Sequence, residues 1–325
     1  MIEVIDLNRY SKYCISLAAI LILLCCTGCM NQGDSQASEI PEIPSRLSRT
    51  EDDTPILKVY NTATESVEEM DIETYLMGVV AGEMKNSWPI EALKAQAILA
   101  RTFTMKFVSD KTSSYDGADI STDVTEAQAY NANAVNDHIR EAVNETRGLV
   151  MIADGEFPYA WFHAHSGGAT ELPSKALEYN EDPAYLTSVR SDEPEDVPED
   201  VKNWTAEFTL DEVQKACRDA GIEIGSIESF EVGKTGESGR AVTFLVNGKE
   251  VSAPGFRLQI DASKLKSTLI DSIEKTGDKL IFRGRGFGHG VGMSQWGARK
   301  MADDGKSAEE IIEHYYTGVE LVELW

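Results

Sequence analysis

The body of this chain is almost without cysteine. Of its five cysteines, Cys14, Cys25, Cys26 and Cys29 crowd the amino-terminal leader, and Cys217 stands alone beyond them. No intrachain disulfide can brace the body. A thiolate-based zinc site is excluded as well, since such sites take two or more cysteines. Positive charge is scarce too: 30 Lys and Arg stand against 55 Asp and Glu, a formal net charge of −25. A surface so acidic repels phosphate backbones and argues against a nucleic-acid partner. The chain also lacks an H-E-x-x-H zinc helix, a G-x-S-x-G nucleophile elbow, a Walker phosphate loop and any internal repeat. Those absences leave little support for a zincin, a serine hydrolase, a nucleotide hydrolase or a solenoid.

What the chain does have is a glycine-rich run near its end, "GRGFGHGVGMSQWGA", Gly284 to Ala298. A dinucleotide fingerprint needs G-x-G-x-x-G between a strand and a helix. Here the third glycine falls on His289, Val291, Met293 or Gln295 in every register. Bare backbone without a phosphate cradle is expected to allow close approach of some other ligand.

The amino terminus reads as an export segment. "ISLAAILILLCCTGC", Ile15 to Cys29, follows Arg9 and Lys12 and is short for a bilayer span, as a signal-peptide core is. "CTGC" resembles a lipoprotein cleavage box that would make Cys29 the lipidation site, with Cys26 where leucine is usual. Residues 1–29 are therefore expected as a signal peptide or membrane anchor. Residues 30–55, polar and proline-punctuated, are expected as a flexible tether. The globular part, 56–325, is expected to be α+β: one domain of helices packed on mixed and antiparallel strands, with a small α+β insertion at 190–265.

Within that domain "DIETYLMGVVAGEM" places Ile72, Tyr75, Leu76, Val79 and Val80 at helical spacing. "SWPIEALKAQAILARTFTMKF" predicts a second helix, with Ser87 as cap and Pro89 in the first turn. "RGLVMIAD" and "EFPYAWFHAHSGG" predict a strand hairpin, and "AVTFLV" and "FRLQI" predict strands. Thr209–Ala220 predicts a helix. Ser294 is expected to cap another that stops at Gly305, and Ser307 with Glu310 forms a capping box for the last.

Glu83 extends the apolar stripe of the first helix, about three turns from Ile72. On that face a carboxyl is desolvated and its pKa rises, which suits a general acid near neutral pH. Alternatively Glu83 emerges at the helix end into solvent. Glu91 reads as a surface residue complementing the next helix's dipole. Arg101 lies in an apolar, alanine-rich stretch and needs an anionic partner, for which Glu83 is a candidate. His163 and His165 share one strand face at a spacing metals use, and His289 sits between glycines.

Three stretches together resemble the stage II sporulation protein D and amidase-enhancer (LytB-type) family. They are "YLMGVVAGEMKNSWPIEALKAQAILARTF", "WFHAHSGG" and "GRGFGHGVGMSQWGARKMADDGKSAEEIIEHYYTGVEL", in that order within residues 56–325. The resemblance implies an extracytoplasmic lytic transglycosylase, and the amino-terminal segment is expected to anchor it to the membrane. It would cut peptidoglycan between N-acetylmuramic acid and N-acetylglucosamine, on strands stripped of stem peptides, in sporulation or wall remodelling. An amidase or endopeptidase partner is implied too. Glu83 falls on the family's catalytic acid, and Arg101 on an arginine implicated in activity. His163, Ser166, His289, Ser294 and Gln295 become candidate substrate contacts, with Trp296 stacking or packing beneath, and the role of His165 stays open. A lytic transglycosylase works with one carboxyl where ordinary hydrolysis takes two. The zinc-ligand positions of some members fall on Tyr115, Ser121 and Ala127, so no metal or other cofactor is expected; Lys85 stands where the family has proline. The alternative implied by the enhancer name is a non-catalytic, peptidoglycan-binding stimulator of an amidase. An H-x-H metallohydrolase is a minor third reading.

Overall fold

The computed structural model describes residues 40–325. The leader, Cys29 and the first part of the tether lie outside the described residues. Among those residues no helix is long and apolar enough to cross a membrane.

Two hydrophobic cores organise the chain. The first is built around helix α2 (Ile90–Asp110), whose buried residues face every direction: Ala95, Ala97, Ile98, Leu99, Ala100, Arg101 and Thr104 are all fully covered. A helix covered all round must be central, and its alanines let neighbours come close. Helix α1 (Ile72–Glu83) packs on it, as do the helices Asp137–Glu145, Gln295–Asp303 and Ala308–Tyr315. Asp71 caps α1 by accepting from the Thr74 amide at 2.9 Å. The expected Ser87 cap of α2 does not form. Pro89 itself occupies the cap position, and no side chain bonds there.

Small sheets rim this core. Ile56–Asn61 pairs antiparallel with Ser66–Asp71 and parallel with Ile120–Ser121. The expected hairpin at 147–168 is not one. Leu149–Ile152 pairs antiparallel with the carboxy-terminal strand Glu320–Glu323, and Phe162–His163 pairs parallel with Met293–Ser294. Both expected strands exist, but their partners are distant in sequence. The described end of the expected tether also joins the fold. Leu47 is buried in the first core, Ile43 packs against it, and the Ile56 amide donates to the Ser48 carbonyl at 2.8 Å.

The second core is a separate α+β unit. The strands Ile270–Thr276, Lys279–Arg285 and Asn203–Thr209 form one antiparallel sheet, and Phe230–Val232, Thr243–Val246 and Lys249–Ser252 form another. Phe208, Phe230, Phe244, Phe256 and Phe282 meet at its centre, with ring centroids 5.1–6.4 Å apart. The unit thus runs past the expected boundary at 265 and ends with the strand that leads into the glycine-rich run. "FRLQI" is not a strand but belongs to the helix Ala253–Ile260. Ser252 accepts from the Gly255 amide at 3.0 Å, and Pro254 lies in the first turn. That cap overrides the local strand pattern.

Arg101 does not meet Glu83. Its guanidinium is fully buried and pairs with Glu73 in the first turn of α1, Nε to Oε1 at 3.0 Å and Nη2 to Oε2 at 2.5 Å. It also donates to the Leu149 carbonyl at 3.0 Å. Glu73 Oε1 accepts in addition from the Gly148 amide and the Trp325 indole, each at 3.1 Å. Removing one partner of such a pair strands a buried charge, so Arg101→Met is expected to cost about 3–5 kcal/mol. A urea midpoint as high as that of the wild type would refute this. Any loss of function in Arg101→Met is expected to follow the folded fraction.

Candidate active site

A cleft of about 350 Å³ opens between the two cores. Glu83 and Phe103 line it from α1 and α2, His163 from the strand Phe162–His163 and Trp161 from just before it, and Asp261 and Ser263 from the second unit. Gly288 and His289 of the glycine-rich run complete the wall.

Glu83 is the last residue of α1 and only 8% exposed. Its position depends on two glycines of the same helix. A Cβ at Gly78 would strike the Tyr130 ring, and one at Gly82 would lie 2.7 Å from the Ala129 backbone. Without those side chains the 127–131 segment lies against the helix, and the Asn131 amide donates to the Gly78 carbonyl at 2.8 Å. The same approach brings the Ala129 amide to Glu83 Oε1 at 2.8 Å. Gln295 Nε2 lies 3.5 Å from Oε2 and 3.4 Å from Gln96 Oε1. Burial pushes the Glu83 carboxyl up to about 7, against the pull of the Ala129 and Gln295 donors. The group is therefore balanced between acid and carboxylate at neutral pH, as a residue that must both give and take a proton should be.

The candidate substrate contacts separate into two sets. His163 and His289 face the cleft, their rings 5.7 Å apart. His163 Nδ1 lies 3.1 Å from the Val291 carbonyl, and His289 Nδ1 accepts from the Val291 amide at 2.9 Å. Burial first, then His289 and Arg240, hold His163 well below the usual imidazole range. Ser166 and Ser294 lie elsewhere. Both are fully buried and both donate to Glu193 Oε1, while Ser294 also caps its helix by accepting from the Gly297 amide at 3.2 Å. Gln295 touches the acid and does not itself line the cleft. His165 sits 3.7 Å from Glu193 and accepts from the Gly167 amide at 3.1 Å, so the two histidines of H-x-H serve different partners. Trp296 packs at 4.7 Å from Trp88, with Lys85 and Arg299 over its ring.

The glycines of the final motif are used mainly by the protein itself. A Cβ at Gly288, where φ is +108°, would lie 2.7 Å from His163 Cβ. One at Gly292, where φ is +67°, would strike the Trp161 carbonyl. Bare backbone lets this run thread against residues 161–167, and of the run Phe287, Gly288 and His289 reach the cleft.

Tyr115 stacks on Tyr60 at 3.9 Å and donates to Asp123 at 2.7 Å. Ser121 Oγ accepts from the Asp123 amide at 3.2 Å, and Ala127 lines the cleft. Among the described residues no group of three or more His, Cys, Asp or Glu is arranged to hold a metal.

Asp261, which no motif flagged, is a second carboxylate in the lining. It follows the helix Ala253–Ile260 with φ at +138°, a conformation costly for a side-chain-bearing residue. Burial would raise its pKa, but the Ser263 hydroxyl at 2.6 Å and amide at 2.9 Å outweigh that and hold it below the ordinary value. Arg257 fixes the same loop by donating to the carbonyls of Leu265, Ala262 and Lys266. The only local hint in the sequence was the Ser252–Pro254 cap, which aims the helix that ends there.

A carboxyl raised in the folded state binds its proton more tightly there than in the unfolded chain. Stability therefore falls as pH climbs from 4.5 to about 7, then levels off. Glu83→Gln removes this decline. Its stability relative to wild type is expected to grow across that window by roughly 3 kcal/mol. Parallel denaturation curves for the two proteins between pH 4.5 and 8 would refute the assignment.

Known proteins match the chain over most of its length. The Stage II sporulation protein (SpoIID) family profile matches residues 60–152. That of a domain of unknown function (DUF8618) matches residues 170–292, across the second unit. The chain is 32% identical over 283 residues to the Stage II sporulation protein D of Bacillus subtilis (strain 168), covering 82% of this chain and 79% of that protein. It is 31% identical over 265 residues to an uncharacterized protein of Brachyspira hyodysenteriae, covering 81% and 70%. Identity to the Amidase enhancer of Bacillus subtilis is 27% over 298 residues, 76% of this chain and 40% of that longer protein. With a buried glutamate on a cleft wall and the three motifs converging around it, the chain belongs to the stage II sporulation protein D/amidase-enhancer (SpoIID/LytB) family.

Proposed function

We propose that the protein is a lytic transglycosylase that cuts peptidoglycan glycan strands, acting outside the cytoplasm and held to the membrane by its amino-terminal segment. The observation that carries this reading is Glu83, buried to a near-neutral pKa on the wall of an open cleft. Its neutral carboxyl donates a proton to the glycosidic oxygen, the C1–O bond breaks, and the N-acetylglucosamine unit leaves with that proton. The new carboxylate is steadied by the Ala129 amide and the Gln295 side chain. It then takes the proton of the muramic unit's own 6-hydroxyl as that oxygen bonds to C1 and closes a 1,6-anhydro ring. The acid is restored, and no water is consumed. The glutamate relays one proton, so a single carboxyl suffices.

The relative named Amidase enhancer favours a partnership with an amidase that strips the stem peptides. It also favours a second reading, in which the cleft binds glycan and stimulates that partner without cutting. Digestion of denuded strands, read by mass, separates the readings. Wild type is expected to release 1,6-anhydro products, at a rate that falls as pH rises past about 7 and Glu83 loses its proton. Glu83→Gln is expected to lower the rate roughly 10²–10⁴-fold. Asp261→Asn should still yield anhydro ends. Reducing ends that vanish in Asp261→Asn would instead reveal a two-carboxylate hydrolase. Folded wild type that releases nothing yet accelerates an amidase would establish the enhancer reading.

A further inference from the structure

Two buried polar atoms at the cleft have no protein partner: Gln128 Oε1 and His163 Nε2. Both residues line the cleft beside Glu83, and they are only 3% and 2% exposed. Their hydrogen-bonding sense can be worked out. Gln128 spends its amide nitrogen on the Ala100 carbonyl at 3.4 Å, which leaves the oxygen as the free end. His163 Nδ1 faces the Val291 carbonyl, an acceptor only, so Nδ1 carries the hydrogen. A neutral ring then has a lone pair at Nε2, and burial keeps this ring neutral. Both orphan atoms are therefore acceptors.

A buried acceptor left unsatisfied is destabilising. Two of them on the lining of one cleft are a cost the fold carries for something that binds there. The cleft's charges narrow the choice. Asp261 in the lining is held ionised, and Arg257 in the lining donates to backbone carbonyls. A ligand carboxylate would meet two acceptors and an anion.

We propose that Gln128 Oε1 and His163 Nε2 form an acceptor pair for the hydroxyl and acetamido N–H hydrogens of an uncharged amino-sugar unit. On the transglycosylase reading, on which this assignment rests, that unit is the departing N-acetylglucosamine. The lactyl carboxylate of the muramic unit lies on the other side of the scissile bond. The pair positions substrate and does no proton transfer.

The test uses the full chain carrying Glu83→Gln, so that binding is measured without turnover. Chitotetraose, a neutral N-acetylglucosamine oligomer, is expected to bind, and an oligogalacturonate of the same length is not. Adding Gln128→Met, which keeps the volume and deletes the acceptor together with the 3.4 Å bond to the Ala100 carbonyl, should weaken chitotetraose binding roughly tenfold. The melting temperature should hold or rise, whereas a residue with a structural role would lower it. Nitrogen-15 NMR of the His163 ring gives an arm that needs no substitution. Nε2 should be unprotonated in the free protein and move towards a hydrogen-bonded position as chitotetraose is added. Unchanged affinity in Gln128→Met, equal binding of the anionic oligomer, or a protonated Nε2 in the free protein would each overturn the pair. Chitotetraose binding that depends on Gln128, in a protein whose wild type leaves denuded strands intact, would overturn the transglycosylase reading and leave the pair standing.

Discussion

The placement of the site depends on the buried ion pair between Glu73 and Arg101. It fastens the first turn of α1 to the middle of α2, and through Glu73 it also gathers the Gly148 amide and the indole of Trp325. Glu73 and Glu83 stand at opposite ends of one rigid helix, ten residues or about 15 Å apart. Fixing one end against α2 fixes where the other end emerges. The two glutamates of α1 thus do opposite work. Glu73 is buried with a cation and several donors. Glu83 is buried with an amide and a carboxamide, and among the described residues no cation pairs with it. Burial with a partner keeps a carboxylate charged, and burial without one drives it towards the acid.

That second outcome rests on how closely the 127–131 segment can lie against α1. Gly78 and Gly82, one turn apart, clear the path, and Ala129 then offers one amide to Glu83. One short donor and one long one lower the pKa only partly, so the carboxyl remains near neutrality. A cation in place of Gln295 would hold the group ionised at pH 7. A purely apolar surround would leave the carboxylate formed after proton transfer without support. The observed surround lies between those limits, which is what the proposed alternation between acid and base requires.

Much of this was legible in the sequence because it is written in helical period. The apolar stripe of α1 pointed Glu83 inward, and the alanine-rich pattern marked α2 as a helix, though not as the central one. The demand of Arg101 for an anion was legible as well. Its partner was not, since Glu73 and Glu83 lie on the same helix and only the packing of α1 on α2 chooses between them. "FRLQI" failed for a different reason. A short apolar run suits strand or helix equally, and the decision lay upstream in the Ser252 cap and Pro254. Ser166 and Ser294 looked like ligand contacts because small hydroxyls beside glycines suit that role. Both instead satisfy Glu193, a pairing that joins three separate segments and leaves no local trace. Asp261 and Gln128 were invisible for the same reason: each reaches the cleft only when the two cores meet.

The glycine-rich run illustrates an ambiguity that sequence cannot resolve. A glycine marks close approach but does not say to what. Here the nearest partner is mostly the protein's own segment at 161–167, so the run is a seam before it is a wall. The seam still has a consequence for the cleft. By lying tight against His163 it brings the Val291 carbonyl to Nδ1, and that one contact decides which ring nitrogen carries the hydrogen. The motif thus shapes the site through the tautomer of a neighbouring histidine as well as through its own His289. Substitutions at Gly288 or Gly292 would act on the cleft by moving His163, even though Gly292 does not line it.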